Sequence, residues 1–121
     1  MRERLAEIEI HQDDDGIVVA RLHGEVDSSN ATELRLAMTE HLPSSVEALV
    51  LDLSGVPYFD SAGLHLLFEL GGRLGARRQA MRLVVPESAP TRRVLELADI
   101  GAVAPLDPDL DDALRALRAR R

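Results

Sequence analysis

Ser61 is the residue with the most chemical potential in this chain. It follows Asp60 and precedes Ala62-Gly63-Leu64, at a point where a loop gives way to an apolar helical pattern. One role for such a serine is purely structural: capping the helix by accepting a hydrogen bond from an orphan backbone N–H. The other is as a phosphoacceptor. A helix N-terminus offers free N–H groups and a positive dipole, so it accommodates phosphate. A phosphoryl group there brings about −1.5 to −2 charge. Asp60 opposes that charge, as does Asp27 if the two loops meet. A protein docked on this surface would then be retained or expelled according to phosphorylation state. In this reading Gly63 keeps the helix start open to a partner backbone. His65 lies four residues after Ser61, on the same helical face. That pair alone is a poor hydrolase: Phe59 stands where a nucleophile elbow needs glycine, and no acid or oxyanion glycines accompany it.

The remaining reactive types form no second site. Asp52, inside an apolar run, is placed like the acceptor of a phosphorelay receiver. That chemistry also requires an acidic pair after the first strand and a lysine, and all 14 basic residues here are arginine. Asp52 is expected to cap loop N–H groups instead. His11, His23, His41 and His65 lack ligand spacing, so no metal is expected and no cofactor is implied. Asp13-Asp14-Asp15-Gly16 lacks the alternation and final glutamate of a calcium loop and reads as a solvated turn. Gly71, Gly72 and Gly75 follow a helix rather than a strand, which excludes a phosphate cradle. Arg77-Arg78 and the C-terminal arginines read as solvated helix ends, with a weak contact to an acidic partner as the alternative.

Composition narrows the class. The 121 residues suit one domain spanning 1–121, large enough to bury a core without staples. Apolar residues make up 45% and aromatics 2%, so the core is aliphatic. Cysteine is absent, which removes disulfides and thiolate chemistry and fits a reducing cytoplasm. A formal charge of −7 argues against nucleic-acid binding. No apolar run is long enough to span a membrane, and Met1-Arg2-Glu3-Arg4 leads into no signal-peptide core.

The elements that must position Ser61 alternate in type. Leu5–His11 and Ile17–Leu22 read as a hairpin joined by the Asp13–Gly16 turn, with His23–Asp27 continuing or ending the second strand. Ser28-Ser29-Asn30, with Glu33 three residues on, reads as a capping box for a helix ended by Pro43. Val46–Leu53 is nearly continuously apolar, as a central parallel strand must be. A helix from Asp60-Ser61 follows, fraying at Gly71-Gly72 and Gly75. Then come a strand over Met81–Val85, a helix from Ser88-Ala89-Pro90 to Ala98, a short strand or extended segment over Ala102–Leu106 and a final helix from Asp107-Pro108-Asp109. The expected fold is an α/β sandwich with about five strands, mostly parallel with an antiparallel edge, and four helices. Functional loops gather at the carboxyl ends of central strands, here Asp27–Asn30 and Ser54–Ser61.

Leu22-His23-Gly24-Glu25-Val26-Asp27, Leu51-Asp52-Leu53-Ser54-Gly55-Val56 and Tyr58-Phe59-Asp60-Ser61-Ala62-Gly63-Leu64 together resemble the anti-sigma factor antagonists of the STAS domain class. The resemblance runs through nearly the whole chain in the same element order. Phe59 stands where an aliphatic residue is commoner, and Ala62 replaces a frequent second serine. The resemblance implies a non-enzymatic, monomeric or weakly dimeric cytoplasmic switch. Its unphosphorylated form binds an anti-sigma factor with serine kinase activity and frees the sigma factor. Phosphorylation of Ser61 ends binding, and a serine phosphatase reverses the mark. The residues implied in partner contact are Asp27, Ser28, Ser29, Asn30, Thr32, Asp60, Ala62, Gly63, Leu64 and His65. Two rivals are a STAS adaptor of a lipid-transport or stress-signalling complex that is never phosphorylated, and a small hydrolase using Ser61 and His65.

Overall fold

The computed structural model describes residues 6–13, 15–40 and 42–120. Leu5, Asp14, His41 and Arg121, which figure in the expectations above, lie outside them. Five strands form one sheet: β1 (Ala6–Gln12), β2 (Ile17–Gly24), β3 (Ala48–Gly55), β4 (Ala80–Val84) and β5 (Leu106–Asp107), in spatial order β1-β2-β3-β4-β5. The β1–β2 pair is antiparallel and every other pair is parallel. Four helices complete the described residues: α1 (Ala31–Glu40), α2 (Ser61–Ala76), α3 (Pro90–Leu97) and α4 (Leu110–Arg118). The mixed sheet with one antiparallel edge matches the sequence expectation.

Period-two alternation sorts the strands between two cores. Val18, Ala20 and Leu22 of β2, Leu49, Leu51 and Leu53 of β3, and Met81 and Leu83 of β4 join α1, α2 and α3 in the larger core. Ile17, Ala48, Val50 and Val84 point to the opposite face and meet Ala113 and Leu117 of α4. A strand such as β3, buried on both faces, must be apolar at every position until its end. Asp52 is the exception, only 5% exposed, and it faces Arg21 of β2 at 3.2 Å.

Three sequence expectations need correction. The glycines of α2 do not fray it, because the helix runs to Ala76. Gly71 is buried where a Cβ would lie 3.0 Å from Val103, so glycine suits the close packing there despite its poor helix propensity. The short strand expected within Ala102–Leu106 is present but shorter and later: a 3-10 turn at Ile100–Ala102 precedes the two-residue β5. Asp107 therefore belongs to the sheet, where its carboxylate takes two hydrogen bonds from Arg82, and Asp109 alone caps α4 by accepting from Asp112 N at 2.8 Å. The last sequence-predicted helix starts two residues later for that reason.

Past the C-terminal ends of β2 and β3 the chain makes one further rung. Gly24 turns the backbone at φ 98°, and Val26 and Phe59 then pair as an isolated parallel bridge. Val26 N donates to Tyr58 O at 3.1 Å and Asp60 N donates to Val26 O at 3.3 Å. This rung brings the loop before α1 against the loop before α2.

Candidate functional site

Asp60 is the N-cap of α2. Its extended backbone places Oδ1 to accept from Gly63 N at 3.0 Å, and its Oδ2 accepts from Ser28 N at 3.1 Å. One carboxylate thus closes the helix start and ties the two loops together. Ser61 follows as the first helical residue and is exposed. Its hydroxyl makes no hydrogen bond among the described residues. The capping role considered for Ser61 belongs to its neighbour, and the Ser61 oxygen stands free beside the N-terminal N–H groups of a 16-residue helix.

The first loop is held by a different aspartate. Asp27 Oδ1 accepts from Ser29 N at 2.8 Å and from Ser29 Oγ at 2.6 Å, and the Asp27 carbonyl accepts from Ala31 N at 2.9 Å. Asn30 is buried. Its Oδ1 accepts from Asp27 N at 3.0 Å and its Nδ2 donates to Glu25 O at 2.9 Å, so the side chain turns back to shape the loop. Ser28, Ser29 and Thr32 are exposed around it, and Asp27 is half-buried.

Gly63 also faces inward. A Cβ there would meet Phe59 Cδ1 at 2.8 Å and Val26 O at 3.0 Å. Its lack of a side chain lets α2 approach the Val26–Phe59 rung, an internal role that the sequence reading of that residue did not include. Leu64 packs against the larger core. Asn30, Gly63 and Leu64 therefore shape the surface from beneath, whereas Ser28, Ser29, Thr32, Ser61 and His65 stand on it.

A shallow groove of about 290 Å³ runs from this surface between α1 and α2, past Ser28, Thr32, Ala62 and His65. It ends at an ion pair between Arg35 and Glu69, with Nε and Oε1 3.1 Å apart. The sequence reading missed these two. Their spacing carries a signal, because Arg35 lies three residues after Thr32 and Glu69 four after His65, on continuing helical faces. No hydrogen bond joins Ser61 to His65 among the described residues. Asp52 behaves as expected: its Oδ1 accepts from Ser54 N at 2.9 Å and Ser54 Oγ at 2.6 Å. Among the described residues no group of three or more His, Cys, Asp or Glu could hold a metal ion, and no helix is long and apolar enough to cross a membrane.

Known proteins share this architecture. The family model described as the STAS domain matches residues 7–113. The chain belongs to the STAS-domain family. Among its curated relatives is the anti-sigma-F factor antagonist RsfB of Mycobacterium tuberculosis, 33% identical over 110 residues, which span 90% of this chain and 88% of the relative. Among solved structures, an anti-sigma factor antagonist from Mycobacterium paratuberculosis superposes with a TM-score of 0.82 at 35% identity, covering 93% of this chain and 94% of the other. The STAS fold is also shared with the anti-sigma factor antagonist SpoIIAA in its unphosphorylated form. There the TM-score is 0.75 at 19% identity, over 93% of this chain and 97% of that one. The similar relatives are thus anti-sigma factor antagonists, and the five-stranded mixed sheet with four helices is the STAS architecture.

Proposed function

We propose that this chain is an anti-sigma factor antagonist that works as a phosphorylation switch. Its unphosphorylated form binds an anti-sigma factor with serine kinase activity, and the sigma factor is released. Phosphorylation of Ser61 ends that binding, and a serine phosphatase restores it. The chain itself is not an enzyme in this reading. The observation that carries the proposal is the division of labour at the start of α2: Asp60 takes the cap, and the exposed Ser61 hydroxyl has no structural task.

The electrostatics support a switch of useful size. Added phosphate gains the helix dipole and backbone N–H groups, so the modified domain remains folded. The same dianion lies next to Asp60 and in the surface that carries Asp27, in a protein of formal charge −7. A partner surface complementary to these carboxylates would have to desolvate a further dianion. Like-charge juxtaposition of this kind costs several kcal/mol, or on the order of 100-fold in affinity or more.

The test is to incubate the protein with a candidate kinase-type anti-sigma factor and ATP, then measure intact mass and map the site. One phosphate on Ser61, absent from Ser61→Ala, is expected. Ser61→Ala is expected to bind the partner, and Ser61→Asp to lose it. Stable complex formation without phosphate transfer would favour the adaptor role in its place. Wild-type affinity in Ser61→Asp would remove the electrostatic mechanism.

A further inference from the structure

A phosphate on Ser61 calls for a counter-ion, and the surface around it offers few. Across residues 24–40 and 54–72, the two stretches that frame Ser61, the basic side chains are Arg35 and His65 alone. Arg35 is committed: its Nε lies 3.1 Å from Glu69 Oε1, across the groove between α1 and α2. His65 is exposed and makes no hydrogen bond or ion pair among the described residues. The uncommitted cation of this surface is therefore a histidine, one helical turn below the serine.

Helix geometry brings the two within reach. Ser61 and His65 both lie inside α2, and positions four apart on an α-helix stand one above the other, with Cβ atoms about 5–6 Å apart. Helical side chains lean toward the N-terminus, which for His65 is the direction of Ser61. Esterification extends the serine by a tetrahedral group with three acceptor oxygens, which spans the remaining distance to a ring N–H. The same spacing recurs one turn on, where Glu69 lies four residues after His65. An imidazolium would also suit Glu69, but Arg35 already holds that carboxylate. Around His65 thus stand a compensated Glu69 on α2, its partner Arg35 on α1 and, in the loops, Asp60 and Asp27. Both loop carboxylates are engaged by backbone N–H groups: Asp60 by Gly63 and Ser28, Asp27 by Ser29.

We propose that His65 is the built-in counter-ion of phosphorylated Ser61. The inference rests on Ser61 being the modified residue, and it adds what becomes of the mark once made. Phosphoryl transfer from ATP replaces the Ser61 O–H bond by an O–P bond; ADP leaves and the hydroxyl proton passes to solvent. The imidazole takes a proton from solvent, donates a ring N–H to a phosphate oxygen and stands as a cation beside the dianion. His65 also lines the groove between α1 and α2, with Ser28, Thr32 and Ala62. Drawing its ring toward Ser61 takes it out of that wall. One modification then changes both the charge at the start of α2 and the shape of the groove one turn below.

The test installs phosphoserine at position 61 during translation of the full chain, so that no kinase is involved. ³¹P NMR then follows the second ionisation of the phosphate against pH. Its midpoint is expected about half a pH unit lower in the wild type than in His65→Gln, or about threefold in proton affinity. His65→Lys, which restores a cation at the same position, is expected to recover the low midpoint. In ¹⁵N spectra, phosphorylation is expected to move the Thr32 and Arg35 amides across the groove more in the wild type than in His65→Gln. Equal ³¹P midpoints, or a rise in His65→Gln that His65→Lys does not reverse, would overturn the proposal and leave kinase action on Ser61 intact. Transfer by the kinase, assayed on the unmodified chain, tests the underlying reading separately, so the two fail independently.

Discussion

Two aspartate–serine pairs in this protein look alike and a third does not. Asp27 with Ser29, and Asp52 with Ser54, repeat one geometry: the carboxylate accepts from the backbone N–H two residues on and, at 2.6 Å, from the hydroxyl of the same residue. In each, the serine is locked. In the third pair the serine is adjacent to the aspartate, and the Asp60 oxygens go to Gly63 N and Ser28 N instead. Moving the serine by a single position turns a structural hydroxyl into a free one. Spacing relative to the acid, more than the residue types themselves, separates a brace from a candidate phosphoacceptor.

That contrast can be broken in several places. The largest effect is expected from Gly63→Val, because the first added carbon already falls 2.8 Å from Phe59 and 3.0 Å from the Val26 carbonyl. Overpacking of this kind should cost about 3 kcal/mol in urea unfolding and should shift the start of α2. Asp52→Ala comes next. It strands the Ser54 N–H and removes the partner of Arg21, and a loss of about 2 kcal/mol is expected in the same assay. Asp60→Ala removes a cap and the tether to Ser28, for about 1 to 2 kcal/mol, and Asp60→Asn should recover most of it. A smaller change of opposite sign is expected from Arg78→Gly. Relief of the left-handed backbone should raise stability by about 1 kcal/mol, visible as a higher Tm. The contrast is sharpened by Asp27→Ala, which releases the Ser29 hydroxyl. If a free hydroxyl were sufficient, a kinase that modifies Ser61 would then modify Ser29 as well. Phosphopeptide mapping is expected to find phosphate on Ser61 alone, because only that serine is the first residue of the long helix.

The sequence made the order of elements and the two carboxyl-end loops legible, since continuous apolar runs and alternation are strong signals for buried strands. It misjudged two places where tertiary packing overrides local preference. Gly71 breaks the helical pattern on paper, yet it sits inside α2 with Val103 packed closely over it. Asp107 resembles a cap, yet Arg82 draws it into the sheet. At the candidate site, the residues on the surface were legible because their types are chemically distinctive. The inward roles of Asn30 and Gly63 were not, because burial depends on the Val26–Phe59 rung, which pairs residues far apart in the chain.

Helix α2 begins at Ser61 and ends at Ala76, beside Arg77 and Arg78. Its length is about 24 Å at the usual rise per residue. The screening length of a physiological salt solution is about 8 Å. Charge added at one end of the rod is therefore almost invisible, through solvent, at the other. The two poles are electrically insulated although they share one helix. A message between them would have to travel as a displacement of packed side chains, through the tight seats of Gly63 and Gly71 that hold this rod to the rest of the molecule.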